Sequence, residues 1–343
     1  MDKVNLFING KIYDGWKEVE IKRSLKAASG SFSLSITDRW TDALSPWGIA
    51  PGDACELQIG SDKIITGFVD NVSPEMQKDS TSIAVSGRDK TADLVDCSAI
   101  YSSGQIVGAT LTRLAQLLCA PFGVPVIAPS STGAVIDTFT IQQGETAFDA
   151  LERAARKRGY LLTTDGLGSL VIARPGSNRS TTRLEQGINI LSGSASFDQK
   201  NRYSKYIVKG QDSGLTDPAL AYSVQATATD ATVKRYRPLL IQSEQLTNIN
   251  DAKQRANWEA TVRAARASKF NITVQGWRQG DGSLWRPNQL VLCKAPRIGL
   301  DGELLIVDVS LKLGSDSGST SVLTLERKDA YSPEPEVPEK GDP

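Results

Sequence analysis

Histidine is absent from this 343-residue sequence. Its absence removes the commonest general base, proton shuttle and metal ligand together, and it excludes Ser/His and Cys/His catalytic triads. Cysteine is sparse: Cys55, Cys97, Cys119 and Cys293 are scattered with no C-x-x-C pair. Without histidine they make a poor zinc set, and so few in so long a chain do not build a disulfide framework. They read as reduced core or boundary residues. Net charge is also missing, because 39 basic residues balance 39 acidic ones. The basic excess of a nucleic-acid-binding chain is therefore not seen. Long apolar runs are lacking too. The patch from Leu117 to Pro129 is broken by Pro121, Gly123 and Pro125 and is too short to span a bilayer. The N-terminus has no basic flank followed by an apolar run, so the expectation is a protein made, and first residing, in the cytoplasm.

What is present is a pattern written twice. In Ser31-Phe32-Ser33-Leu34-Ser35-Ile36 the apolar residues alternate, the signature of a half-buried strand. A Trp/Pro turn follows (Trp47 to Pro51), then short strands around Cys55 to Ile59 and Ile64 to Val72. The last of the set, Thr81 to Val85, runs into Arg88-Asp89-Lys90. From Lys269 the order repeats: Phe270, Ile272 and Val274 alternate, and a Trp/Pro turn spans Trp285 to Pro287. Strands at Leu290 to Leu292, Leu304 to Val309 and Thr320 to Leu325 then run into Arg327-Lys328-Asp329. Val69-Asp70-Asn71-Val72-Ser73 answers to Val307-Asp308-Val309-Ser310. This reads as one antiparallel β-module used twice; the alternative is a generic likeness of two Greek-key segments.

Leu6-Phe7-Ile8 and Lys11-Ile12-Tyr13 flank Asn9-Gly10, a strong hairpin signal. With Val19, Ile21 and the strands to Val85, the first 95 residues hold six or seven strands, which suits a small barrel or sandwich. The period then changes. Leu111, Leu114, Ala115 and Leu118 form a helical stripe that Pro121 ends, and Phe139 to Ile141 reads as a strand. Thr146 and Asp149 suit the start of a second helix, with Phe148, Leu151 and Ala155 as its apolar stripe and Gly159 at its end. Strands at Tyr160 to Leu162 and Leu170 to Ile172 flank Asp165-Gly166. Further on, Tyr206 to Val208 and Leu239 to Ile241 are strand candidates around a polar stretch, Gln211 to Lys234, read as a long loop. Asn250 is expected to cap a helix from Asp251 to about Ala267, with i, i+4 pairs Asp251/Arg255 and Glu259/Arg263.

The expected fold is mainly β with α+β insertions: two similar small antiparallel β-barrel domains plus a small α/β domain. The boundaries are 1–96, 97–178 and 179–331, the last with the inserted helix and the long loop. A Pro/Glu-rich tail, 332–343, is expected to be flexible.

Candidates for chemistry are thin. Arg88-Asp89-Lys90 with Asp93 and Asp96 could hold paired carboxylates, but Arg327-Lys328-Asp329 sits at the same place in the repeat, so a structural corner or interface contact is the simpler cause. Asp53, Glu56, Asp62 and Asp70 lack the Asp-x-Asp-x-Asp-Gly spacing of a calcium loop. Gly166-Leu167-Gly168 lies inside a hairpin, not between strand and helix as a dinucleotide site requires. Arg153, Arg156, Lys157 and Arg158 suit a solvated face or ion pairs, with nucleic-acid contact as the sharper alternative. Trp277 and Trp285, with Trp40 and Trp47, flank equivalent turns and serve either core packing or a subunit interface. No nucleophile, base and oxyanion donors can be assembled, so no enzyme, cofactor or metal is expected. The interface residues expected on these grounds are Arg88, Asp89, Trp277, Trp285, Arg327 and Asp329.

Four stretches resemble the baseplate hub proteins of Mu-like contractile-tailed phages, the late-control and tail hub family, and the hub part of type VI secretion spikes. They are Gly67-Phe68-Val69-Asp70 with Ser86-Gly87-Arg88-Asp89; Gly144 to Arg153 with Leu170 to Gly176; Arg255-Ala256-Asn257-Trp258-Glu259; and Gly276-Trp277 with Leu284 to Asn288. The resemblance covers Val4 to about Tyr331. It implies a structural protein of the virion tail baseplate, assembled in the host cytoplasm. It also implies a homotrimeric ring of pseudo-sixfold symmetry that adapts a sixfold tail tube protein to a threefold tail spike protein, with baseplate wedge proteins around it and transient DNA passage through its lumen. No small-molecule substrate and no stable membrane insertion are implied. The chain ends in its Pro/Glu tail without a repeat-rich β-helix, which points to a spike on a separate chain. The rival readings are a tail-associated carbohydrate- or receptor-binding protein and a cell-wall hydrolase.

Overall fold

A computed structural model describes residues 2–38, 48–78, 80–210, 224–243, 249–315 and 317–335. The chain divides into two compact units: a larger one (1–155, 160–193 and 271–325) and a smaller one (156–159, 194–270 and 326–343). Mostly β, its described strands form open sheets.

In the larger unit β1 (Val4–Ile8) and β2 (Lys11–Tyr13) form the expected hairpin. Ile8 faces Lys11 across Asn9 and Gly10, whose φ values of 51° and 74° are the positive pair that a tight I′ turn needs. Then come β3 (Glu18–Ser24), β4 (Ser31–Asp38), β5 (Ala54–Ile59), β6 (Asp62–Gln77) and β7 (Ser80–Asp89). They lie side by side in the order β3-β4-β7-β6-β5-β1. Phe32 and Leu34 of β4 are buried as their alternation requires. A bulge in β6 between Val69 and Asn71 shifts its register on β7.

The mixed segment follows: α1 (Ala92–Asp96), β8 (Gln105–Ala109), α2 (Leu111–Cys119), β9 (Val126–Ile127), β10 (Ile136–Thr140), α3 (Ala147–Lys157), β11 (Leu161–Thr164) and β12 (Leu170–Ala173). The α2 stripe of Leu111, Leu114, Ala115 and Leu118 packs with Ala147, Ala150 and Leu151 of α3 in one core. Thr146 Oγ accepts the Asp149 N–H at 3.1 Å, the cap read from the sequence. Gly159, at φ 67°, follows the end of α3.

The second β-series comprises β13 (Asn178–Arg179), β14 (Leu184–Glu185) and β15 (Ile190–Phe197). After an excursion through β16 (Lys205–Gly210), β17 (Val224–Thr229), β18 (Pro238–Ser243) and α4 (Ile249–Arg266), it resumes with β19 (Ser268–Gln275), β20 (Gln289–Ala295), β21 (Leu300–Gly314) and β22 (Gly318–Glu326). Its order is β15-β19-β22-β21-β20, with β13 and β14 on the far side of β20. Through β20 this is the order of the first series, so the duplicated pattern in the sequence corresponds to a duplicated five-strand arrangement; beyond it β13 and β14 run parallel to β20, whereas β1 runs antiparallel to β5. The two series join where β21 pairs with β3, Asp308 opposite Ser24 through Leu313 opposite Val19.

The excursion is larger than expected. The polar stretch read as a loop contains β17, which pairs with β16 along its whole length; residues 211–223 of that stretch lie outside the described residues. Alternating Val224, Ala226 and Ala228 face inward, small enough to escape notice as an apolar stripe. β16 also pairs in parallel with β18. Tyr206 and Val208 of this sheet pack on Ala252 and Ala256 of α4, giving the smaller unit its own core. The described helix begins at Ile249, one residue before the Asn250 expected to precede it.

Candidate assembly surfaces

Arg88 and Asp89 are neighbours on β7 and so point to opposite faces. Asp89 is fully buried. Its Oδ2 accepts the Gly30 N–H at 2.7 Å and the Thr164 hydroxyl at 2.9 Å, and its Oδ1 accepts the Thr91 N–H at 3.0 Å and also contacts the Thr91 hydroxyl. Burial raises its pKa, opposed by these hydrogen bonds. The carboxyl group thus ties the β3–β4 turn and the end of β7 to the β11–β12 hairpin. Two further bonds secure that joint. Arg23 Nη2 donates to Asp165 O at 2.7 Å, and the Thr66 N–H donates to Gly166 O at 2.8 Å. Desolvation, then repulsion from Arg286, brings the Arg23 guanidinium down to about 10. At Gly166, φ 79°, a Cβ would run into Ile64 O, so the close approach demands glycine.

On the opposite face Arg88 is part-exposed and bridges two carboxylates. It reaches Asp70 Oδ2 at 2.7 Å through Nε and Asp96 Oδ2 at 2.7 Å through Nη2. Hydrogen bonding from Arg88 lowers the Asp96 pKa. Arg327 makes a looser, exposed pair with Asp329 at 3.3 Å. Trp277 and Trp285 are each 3 % exposed. The Trp277 indole donates to Lys312 O at 2.9 Å; the backbone N–H of Trp285 donates to Trp277 O at 3.1 Å, while its buried indole N–H has no hydrogen-bond partner among the described residues. Both side chains are buried within the chain. Trp40 and Trp47, at the equivalent turn, lie outside the described residues.

Arg278, next to Trp277, was not singled out by its sequence context. It pairs with Asp2 and Asp62, each at 2.6 Å, and so fastens the start of the chain and the β5–β6 turn to the second series. The only hint in the sequence was its place beside a Trp turn. The acidic residues weighed as a calcium set are separately engaged: Asp53 with the Ala50 N–H, Glu56 with Lys63, Asp62 with Arg278 and Asp70 with Arg88. Among the described residues no three acidic or cysteine side chains gather as a metal site. At the α3 end, Arg153 pairs with Glu145 at 2.8 Å and lies 4.5 Å over the Phe139 ring. Burial pushes the Cys55 and Cys119 thiols up to about 12 and Cys293 to about 11, which makes them poor nucleophiles. Cys97 is exposed. Among the described residues no helix is long and apolar enough to cross a membrane.

These surfaces hold fixed ion pairs and packed joints. Three family models match in succession: "Mu phage baseplate assembly protein GpP-like, N-terminal" over 3–89, "Baseplate hub protein gp44-like, second domain" over 91–174, and "Mu phage baseplate assembly protein GpP, fourth domain" over 248–334. The baseplate hub protein gp44 of Escherichia phage Mu is 36% identical over 338 residues, 96% of this chain and 88% of that protein. The chain belongs to the Mu-type baseplate hub family. The 43 kDa tail protein of prophage MuSo2 from Shewanella oneidensis is similar along 98% of this chain and 100% of its own, at 38% identity and TM-score 0.86. A tail protein from Neisseria meningitidis MC58 shares the fold at TM-score 0.80 and 22% identity, covering 97% of this chain and 98% of its own. The hub is a structural, non-enzymatic component of a Mu-like phage tail baseplate in the virion.

Proposed function

We propose that three copies of the hub close into a ring of six similar β-barrel modules, two from each chain. The ring adapts the sixfold tail tube to the threefold central spike, with wedge proteins around it and DNA passing through its lumen. The observation that carries this reading is the five-strand order found twice in one chain, β3-β4-β7-β6-β5 and β15-β19-β22-β21-β20. Duplicated modules give a threefold ring six near-equivalent positions, which a sixfold partner can meet. Arg88, Arg327 and Asp329 offer exposed charge to a neighbouring subunit, while Asp89, Trp277 and Trp285 act from within by shaping the modules. Of the tail expected to be flexible, Ser332 accepts the Trp258 indole N–H at 3.0 Å, and residues 336–343 lie outside the described residues.

Light scattering of the purified hub across a dilution series tests it. The expected mass is three chains, with six lobes in end-on electron micrographs. A single-chain mass at every concentration, with and without purified spike protein, overturns it. The rival carbohydrate-binding reading needs exposed Trp side chains, and Trp277 and Trp285 supply none.

A further inference from the structure

We infer that β15 of one hub chain pairs antiparallel with the outer half of β6 of a neighbouring chain, carrying the sheet from subunit to subunit. The inference rests on the ring reading above and names the strands that close it. Within one chain β3 has β4 on one side and β21 on the other. The Leu25 N–H extends that ladder to Val307 O at 2.9 Å. In the repeat, β15 stands to β19 as β3 stands to β4, and the outer half of β6 stands to β7 as the outer half of β21 stands to β22. Neither counterpart has a second strand among the described residues. β15 ends the described sheet, and β5 covers β6 only as far as Phe68.

Such edges carry unpaired N–H and C=O groups and are templates for another chain. Both also expose apolar side chains, Leu191 and Phe197 on β15 and Met76 on β6. The register follows from the chain itself. The Asp198 N–H bonds to Ala267 O at 2.8 Å, and antiparallel pairing from there sets Ala195 opposite Phe270. Phe270 is the counterpart of Phe32, which faces Ile21, so Ala195 corresponds to Ile21 and Ser196 to Lys22. On the other strand Val72-Ser73 corresponds to Val309-Ser310. Lys22 faces Ser310 within the chain, so Ser196 faces Ser73 between chains, and Phe197 lies across from Val72. Pro74 has no N–H to give, which blunts this edge against indiscriminate pairing while its carbonyl still accepts.

Cross-linking tests the register. In a Cys97→Ser background, Ser73→Cys chains are mixed with Ser196→Cys chains, co-assembled and oxidised. The pairing predicts a two-chain disulfide species from the mixture and none from either variant alone, because opposed strand residues meet disulfide geometry. The double variant is expected to yield a covalent three-chain species. A Lys22→Cys/Ser310→Cys control closes within one chain and shows that the chemistry works on the internal ladder. A three-chain mass by light scattering with no cross-link between chains, while the control closes, overturns the strand pairing and leaves the ring standing. A single-chain mass with no cross-link overturns both.

Discussion

The two β-series share an order of strands and differ in what covers their long fourth strand, β6 in the first and β21 in the second. In the second, β3 lies against β21, and Val309 and Leu311 are 2 % and 3 % exposed. In the first, no described strand covers the matching stretch of β6, and Met76 is 78 % exposed. A second contrast lies between the leading strands. β3 and β4 are joined by a turn, whereas a sheet of three strands and a helix intervenes between β15 and β19. Duplication has thus kept the hydrogen-bonded frame and let covers and insertions diverge.

The sharpest way to break that comparison is a matched pair of core truncations. Leu34→Ala and Ile272→Ala, at equivalent and fully buried positions, should each cost about 2–5 kcal/mol. Urea unfolding followed by tryptophan fluorescence reads the loss. Two separated transitions after either change would show that the series fold independently despite the shared ladder. Next comes Gly67→Ala, expected to cost roughly 3 kcal/mol because its Cβ would strike Arg88 O and Asp89 Cα. No glycine stands at the matching place in β21, so this demand belongs to the first series alone.

Asp89→Asn should cost about 1–3 kcal/mol, because an amide turns a donor toward groups that themselves donate. It also carries a pH signature. Burial raises the Asp89 pKa in the fold, so its contribution to stability is full below the ordinary carboxyl value, about 3.9, and is lost as pH rises through the folded value. Urea midpoints across that range should show this slope in the wild type and lack it in the variant. Asp96 acts with opposite sign: Arg88 lowers its pKa, and its contribution is lost as pH falls through the folded value. The smallest effect is Arg88→Ala, which should cost no more than about 1 kcal/mol in the isolated chain because the ion pairs are part-exposed.

Much of this was legible in the sequence where the signal is local. Asn9-Gly10, the alternation at Phe32 and Leu34 and the Thr146 cap each act within a few residues, and the repeat was visible as a recurring order of such signals. β17 was hidden because its inward residues are Val, Ala and Ala in a run of threonines, with little apolar contrast. Glu259 shows a different limit. Its pairing with Arg263 at 2.6 Å follows from helical spacing, but its burial between Arg255 and Arg263 depends on packing that no spacing reveals. Asp89 read as part of a charged corner or interface contact, and its burial was not legible because the hydroxyl that meets it, Thr164, lies 75 residues away. The pairing of β3 with β21 has no local signature at all.

That pairing sets a timetable for synthesis. Glu20 and Ser310 hydrogen-bond across 290 residues of chain. At about 5–20 residues per second, β3 leaves the ribosome on the order of 15–60 s before its partner exists. For that interval its outer edge is open to every other nascent chain. The strand carries Glu18, Glu20, Lys22 and Arg23 among its seven residues, a density of charge that discourages mispairing during the wait. When β21 arrives, Glu20 receives Lys312 at 3.1 Å, and the guard becomes a bond.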